Sequence, residues 1–274
     1  MRKTFLPILA LSMLMILISP KDLSLASNID ESKISNNLYK HQSSLFGYSE
    51  ETKKTESLPK TQIHYSYVNG YPEGEFRPDA EITRAEIASI FEGLLVGQTF
   101  YDKNEIHFLD VNAEDWYYRS VTFMTKQGYM SGYPEGYFEP NMPITRAELV
   151  TVLRRYQNAT GGEGGTVQFS DISPDHWAYN DLLMASELGW LKGYADKQFR
   201  PNASITRAEA ITLINRVLGR KPDSDSIEKN KSRLKNFIDE KDHWAHLDIC
   251  EAANTHEYYI DSENNEIWTR ILNY

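Results

Sequence analysis

Apolar positions along the chain fall into short helical stripes separated by polar loops. Trp116, Ser120, Phe123, Met124 and Gln127 recur at three- to four-residue spacing, which predicts one face of a short helix. Gly128 follows as its stop, the position where a left-handed residue commonly ends a helix. A second stripe, Ile144, Leu149, Leu153 and Tyr156, predicts a longer helix. It opens on Thr145 with Glu148 three residues later. That pair reads as a capping box, in which the hydroxyl takes an orphan amide and the carboxylate returns to the cap amide. Between the stripes, Gly132-Tyr133-Pro134-Glu135-Gly136 places Pro and Gly where a reverse turn needs them.

This helix–loop–turn–helix unit repeats. The segment Gly132–Pro140 matches Gly70–Pro78 at an offset of 62 and Gly193–Pro201 at an offset of 61. Each copy leads to the pentapeptide Ile-Thr-Arg-Ala-Glu, at 82–86, 144–148 and 205–209. Upstream, Phe108-Leu109-Asp110 leads to Trp116, and Phe169-Ser170-Asp171 leads to Trp177. A third such block, Phe237-Ile238-Asp239 leading to Trp244, is one residue shorter and has no glycine turn after it. The first glycine turn, at Gly70, has no such block before it. The two incomplete pieces are complementary, and half a repeat cannot bury its apolar face alone. The expectation is a mainly α fold: three helix–loop–helix repeats about a pseudo-threefold axis around a central three-helix bundle, one repeat completed by the N- and C-terminal halves.

The expected organisation runs as follows. Residues 1–26 are an export signal and 27–62 a polar, Ser/Asn/Lys-rich tether. Residues 63–100 supply the second half of the closing unit. Complete repeats occupy 101–160 and 161–218. A polar connection with a short helix spans 219–233, and 234–274 supply the first half of the closing unit. The signal rests on basic Arg2 and Lys3, the apolar run Phe5–Ile18 broken only by Pro7 and Ser12, and small residues at Ser24 and Ala26. The run is short for a membrane span, and no membrane span is expected after cleavage.

Composition narrows the partners. A formal charge of −10 argues against nucleic acid, which needs a basic surface. Any anion must therefore meet a local cationic spot. The single cysteine, Cys250, precludes an internal disulfide and reads as a small buried residue of a helix.

The ordered trio Phe-x-Asp…Trp, Gly-Tyr-Pro-Glu-Gly-x-Phe-x-Pro and Ile-Thr-Arg-Ala-Glu resembles the S-layer homology (SLH) domain, over roughly residues 63–270. The resemblance implies a trefoil of three repeats and non-covalent tethering of a secreted protein to the cell wall of a Gram-positive bacterium. The implied partner is an acidic, pyruvylated secondary cell-wall polysaccharide held in grooves between repeats. It further implies a glycan-binding set. Arg84 would face Trp116, Arg146 would face Trp177, and Arg207 would face Trp244. Gly70, Gly132 and Gly193 would let the sugar approach backbone.

The residues support the same spots independently. Each Arg follows an N-cap Thr, where free amides and the helix dipole favour an anion. A guanidinium there can take a carboxylate in bidentate fashion. The capping Thr and Glu need no ligand, and the indoles suit either inter-repeat packing or a sugar face. Arg is required by neither. This reading depends on the guanidiniums lying near the neighbouring indoles and not being consumed by internal ion pairs. The third turn, with Ala195, Asp196 and Lys197, departs from the pattern, because Lys adopts a positive φ less easily than Gly.

No catalytic residue, cofactor or metal is expected. Asp110–Asp115 lacks the glycine and terminal glutamate of a calcium loop, and His176 and His243 lack a matched zinc ligand set. A surface-array assembly protein, or less plausibly an accessory to a peptidoglycan hydrolase, is the alternative to a wall anchor.

Overall fold

The computed structural model describes residues 59–95, 107–159 and 169–272. The expected export signal (1–26) and the expected tether up to residue 58 lie outside the described residues. Residues 58–274 form one compact unit. Its described elements are β1 (Gln62–His64), α1 (Arg84–Leu94), α2 (Tyr118–Lys126), α3 (Arg146–Tyr156), α4 (Tyr179–Glu187), α5 (Arg207–Leu218), α6 (Ser224–Asn230), α7 (His246–Ala253), β2 (His256–Ile260) and β3 (Glu266–Ile271). The described chain is thus mainly helical, and none of its helices is long and apolar enough to cross a membrane.

Local sequence sets the long helices. Thr83, Thr145 and Thr206 sit in extended conformation and accept the amides of Glu86, Glu148 and Glu209, whose carboxylates return to the Thr amides. All three capping boxes are formed, which fixes where each helix begins. The apolar stripes then pack in pairs, α1 on α2, α3 on α4 and α5 on α7.

Buried faces of all three long helices share one core, with the closest backbone approach between α3 and α5. Three strand-like residues ahead of the helices also meet. The Ile82 amide donates to Ile205, Ile205 to Ile144 and Ile144 to Ile82, at 3.1, 3.1 and 3.0 Å. These bonds close a cycle, and all three isoleucines are buried. One layer out, the amides of Arg84, Arg146 and Arg207 donate to Met142, Ala203 and Ala80. Backbone groups in a core must pair, and here each segment pairs with the next copy of itself.

The two ends of the described chain meet. Asp110 accepts the amides of Phe138 and Glu139, and Asp171 those of Phe199 and Arg200. Asp239 does the same for Phe76 and Arg77, both at 2.7 Å, across more than 160 residues of chain. The bonds tie down Arg77, Glu139 and Arg200, each held at a positive φ of 57–58°. A three-stranded antiparallel sheet ordered β1-β2-β3 adds a second seam, with Gln62 opposite Tyr258 and Ile63 opposite Glu257. The expected tether therefore ends before residue 62, which is already in β1. This sheet was not expected from the repeat pattern. His256, standing where other copies have the left-handed Gly128 and Gly189, needs no such conformation, because α7 leaves through extended Asn254 straight into β2. Ile227, Leu234, Cys250, Tyr258 and Trp268 form a small second core beneath the sheet. Burial pushes the Cys250 thiol up to about 12, as suits an inert packing residue.

The glycines Gly70, Gly132 and Gly193 have a packing reason. A Cβ on Gly132 would lie 2.3 Å from the Phe108 ring and 2.8 Å from the Tyr137 carbonyl, and Gly70 and Gly193 face Phe237 and Phe169 in the same way. Each glycine thus makes room for a phenyl ring of the fold itself. Gly132→Ala is expected to cost about 2–3 kcal/mol by overpacking, read as a shift of the urea midpoint without a change of slope.

Candidate functional site

The three sequence-matched arginines lie beneath the glycine turns. Their residues are 5%, 7% and 5% exposed at Arg84, Arg146 and Arg207. The capped helix places each at its first position, pointing at the next turn in the cycle. Arg207 donates Nε to the Phe76 carbonyl at 2.8 Å and Nη2 to Asn69 at 3.3 Å. Arg84 reaches Phe138 and Ser131, and Arg146 reaches Phe199 and Lys192, in the same pattern. Each Nη1 pairs with a capping glutamate of another copy: Arg207 with Glu86 at 3.2 Å, Arg84 with Glu148 at 3.5 Å and Arg146 with Glu209 at 3.4 Å.

The turn aromatics complete each cage. The Arg207 guanidinium lies 4.9 Å from the Tyr71 ring and 4.8 Å from Phe76, with Tyr133 and Phe138 around Arg84 and Tyr194 and Phe199 around Arg146. These are cation–π distances. The hydroxyls of Tyr71, Tyr133 and Tyr194 donate to Glu86, Glu148 and Glu209. Burial first raises the three phenol pKa values, and at Tyr71 and Tyr194 the glutamate bond raises them further, which keeps them donors.

The expected open guanidinium is therefore corrected. Arginine in this motif is needed by the fold, because it neutralises a capping carboxylate and satisfies two turn carbonyls. Sequence reasoning overlooked that the capping Glu, having served its own helix, still carries a charge to be paired.

The indoles behave oppositely. Trp116, Trp177 and Trp244 are 64%, 63% and 63% exposed. They belong to neither core cluster, so inter-repeat packing does not account for them. At two of them a neighbouring histidine shapes the helix start: the Nδ1 atoms of His176 and His243 accept the amides of Ala178 and Ala245, and their rings lie against Trp177 and Trp244. These histidines serve the helix start.

Trp116 stands in a cleft of about 1250 Å³ between the Gly70 turn, α1 and α2. Arg207 lines this cleft together with Trp116, and Arg84 is not among its lining residues. Tyr71, Arg119 and Lys126 also line it. Among the described residues, Arg119, Lys126, Arg207, Glu86 and Glu92 are its charged lining. Arg119 pairs with Glu92 while remaining largely exposed. Of the five N–H vectors of a guanidinium, Arg207 directs three at Phe76, Asn69 and Glu86, which leaves two. Tyr71 and Arg119 were not singled out from the sequence, although a tyrosine follows Gly70, Gly132 and Gly193 alike.

Comparison with known proteins gives concordant matches. A model of the S-layer homology domain matches residues 64–88, 107–150 and 168–211. A cellulosome-anchoring protein of Acetivibrio thermocellus is 38% identical over 228 residues, covering 79% of this chain and 49% of that protein. Cell surface glycoprotein 1 of the same organism is 35% identical, covering 74% of this chain and 9% of its own length. A surface-layer 125 kDa protein of Lysinibacillus sphaericus is 31% identical over 55% of this chain and 13% of its own. The chain thus spans about half, or much less, of the curated relatives it matches.

Proposed function

This chain is an S-layer homology domain protein, and on that premise we propose that it anchors non-covalently to a bacterial cell wall by binding an anionic secondary polysaccharide. The observation that carries the reading is the exposure of three equivalent indoles. A large aromatic left in water at every copy of a repeat is a poor choice for stability and a good platform for a sugar ring. The names of the relatives, a cellulosome anchor and surface-layer proteins, support a place at the cell surface.

In this proposal the cycle of isoleucine hydrogen bonds underlies a trefoil of three repeats. Each cleft combines the turn of one repeat, the indole of the next and the arginine of the third. Trp116 carries the sugar face. Arg119, exposed at the rim, meets the acidic group, while Arg207 holds the turn beneath it. The repeat offsets extend this to Arg84 with Trp177 and Arg146 with Trp244. The buried arginines thus act mainly as the floor that positions each turn, and several clefts engaging one polymer would raise avidity.

Trp116→Ala is the discriminating variant. It should leave the melting temperature nearly unchanged, because the indole is exposed. It should weaken binding to purified wall polymer about tenfold per cleft engaged. The proposal fails if polymer stripped of its acidic termini binds as tightly as intact polymer, or if the alanine variant binds like wild type. Ordered sheets forming from the purified chain without wall material would instead favour array assembly.

A further inference from the structure

Away from the cleft, the seam between the chain ends holds a cluster that the anchoring reading does not use. His64 on β1, Glu251 on α7, His256 on β2 and Glu266 on β3 converge on one point. Glu251, His256 and Glu266 are buried and His64 is nearly so. The His64 Nδ1 lies 2.9 Å from Glu251 Oε1 and 3.2 Å from Glu266 Oε1. The His256 Nε2 lies 3.4 and 3.2 Å from the same two oxygens. All four atoms fall within 4.8 Å of one another.

From this geometry we propose that the cluster is a tetrahedral site for a divalent transition cation of the zinc class, which clips the N-terminal strand to the C-terminal segment. Zinc bonds of 2.0–2.2 Å to nitrogen and oxygen require ligand-to-ligand edges of about 3.3–3.5 Å. The four His-to-Glu edges, 2.9–3.4 Å, approach that value, and the His-to-His and Glu-to-Glu edges, within 4.8 Å, would close to it on binding. The outer contacts are those of a metal site as well. The His256 Nδ1–H donates to the Asn254 carbonyl at 2.8 Å, which leaves Nε2 directed at the cluster. The ring is clamped by stacking on Trp268 at 3.8 Å. Glu266 Oε2 accepts the Lys221 amide, holding that carboxylate in place. Glu251 Oε2 is buried with no hydrogen-bond partner, an unsatisfied acceptor beside the centre.

Charge counting leads to the same site. The facing groups are two carboxylates and Arg220, whose Nη1 is 3.6 Å from Glu251 Oε1 and itself lacks a hydrogen bond. With neutral imidazoles these charges leave an excess carboxylate buried, a costly arrangement. One proton on a histidine balances it, and a dication held by neutral imidazoles turns the single negative excess into a single positive one, so either cation relieves the unpaired carboxylate. The imidazolium form is the competing account, and the experiment separates the two. A dication would join residues 187 apart in sequence, in a chain whose lone cysteine cannot form an internal disulfide.

Purified chain, cleared of metal with a chelator and dialysed, would be titrated with zinc and with cobalt(II) near pH 8. The expected result is one ion per chain, four-coordinate cobalt absorption bands and a higher melting temperature. At free metal 100 times Kd, the folded-to-unfolded ratio rises about 100-fold. His64→Gln sits at the partly open edge of the cluster and is the variant most apt to fold. It should weaken binding about 100-fold or more, and His256→Gln should do likewise. Glu240, His246 and Cys250 form the other close group among the described residues. Cys250→Ala should leave the stoichiometry and the cobalt spectrum unchanged. Absence of binding, octahedral cobalt, loss of the site in Cys250→Ala, or undiminished binding in His64→Gln would each overturn the proposal.

Discussion

Arg207→Ala is expected to destabilise the chain by about 3 kcal/mol, whether or not any ligand is present. The guanidinium is buried, and it satisfies the carbonyls of Phe76 and Asn69 and the carboxylate of Glu86 together. Truncation leaves those acceptors facing a hole, and unpaired partners of a charged group carry a desolvation cost of that order. In a compact unit of this size the melting temperature should fall by roughly 6–12 °C. Arg207→Lys should recover little, because an ammonium cannot serve two carbonyls and a carboxylate in the geometry of a planar fork. Arg84→Ala and Arg146→Ala should behave alike, given the same partners one copy along. Chemical denaturation of the three variants checks this. A shift below about 0.5 kcal/mol, with polymer binding abolished, would restore arginine to the role of an open ligand. Loss of polymer binding alone therefore cannot assign these arginines; a matched stability measurement is required.

Asp239→Ala should cost about 3 kcal/mol as well, with a more local signature. Its carboxylate accepts two backbone amides of the opposite end of the chain, Phe76 and Arg77. Phe76 is fully buried, so its amide would have no ready replacement. Charge-assisted bonds of this kind are among the stronger ones. Amide exchange should accelerate first in residues 62–78 and at the start of α7, and later in α3 and α4. Asp110→Ala removes the equivalent bonds inside an unbroken repeat and should not open the terminal seam preferentially. Asp239→Asn keeps one acceptor oxygen and should fall between. Uniform acceleration across the chain, or exchange matching wild type, would show that the terminal seam is not held by this residue.

The repeat units were legible because they are carried by local chemistry. A capping box, a glycine-turn and a helical stripe each impose themselves within about ten residues, and each recurs at a nearly constant offset. Lys197 shows how strongly the turn is imposed: it adopts φ 62° where Gly74 and Gly136 hold 85° and 83°. The three-stranded sheet was less visible. Its strands are short, β1 has three residues, and their pairing joins positions nearly two hundred apart. Even so, the alternating runs 256–260 and 266–271 around an Asp-Ser-Glu-Asn-Asn loop were a hairpin signal. His64, Glu251, His256 and Glu266 carried no ligand-spacing pattern, because they lie on four separate elements.

The sequence alone determined the units: where each long helix starts, where each turn falls, and that the two ends carry complementary halves. Those features depend on neighbours within one turn of backbone, so the residues themselves suffice. Only the tertiary structure decided which residues are open to solvent. Arginine, read as the free cation, is buried because a neighbouring copy presents a capping carboxylate and two carbonyls to it. Tryptophan, read as possible core, is exposed because α2, α4 and α7 turn other faces inward. Burial is a property of what packs opposite, and what packs opposite here comes from another repeat.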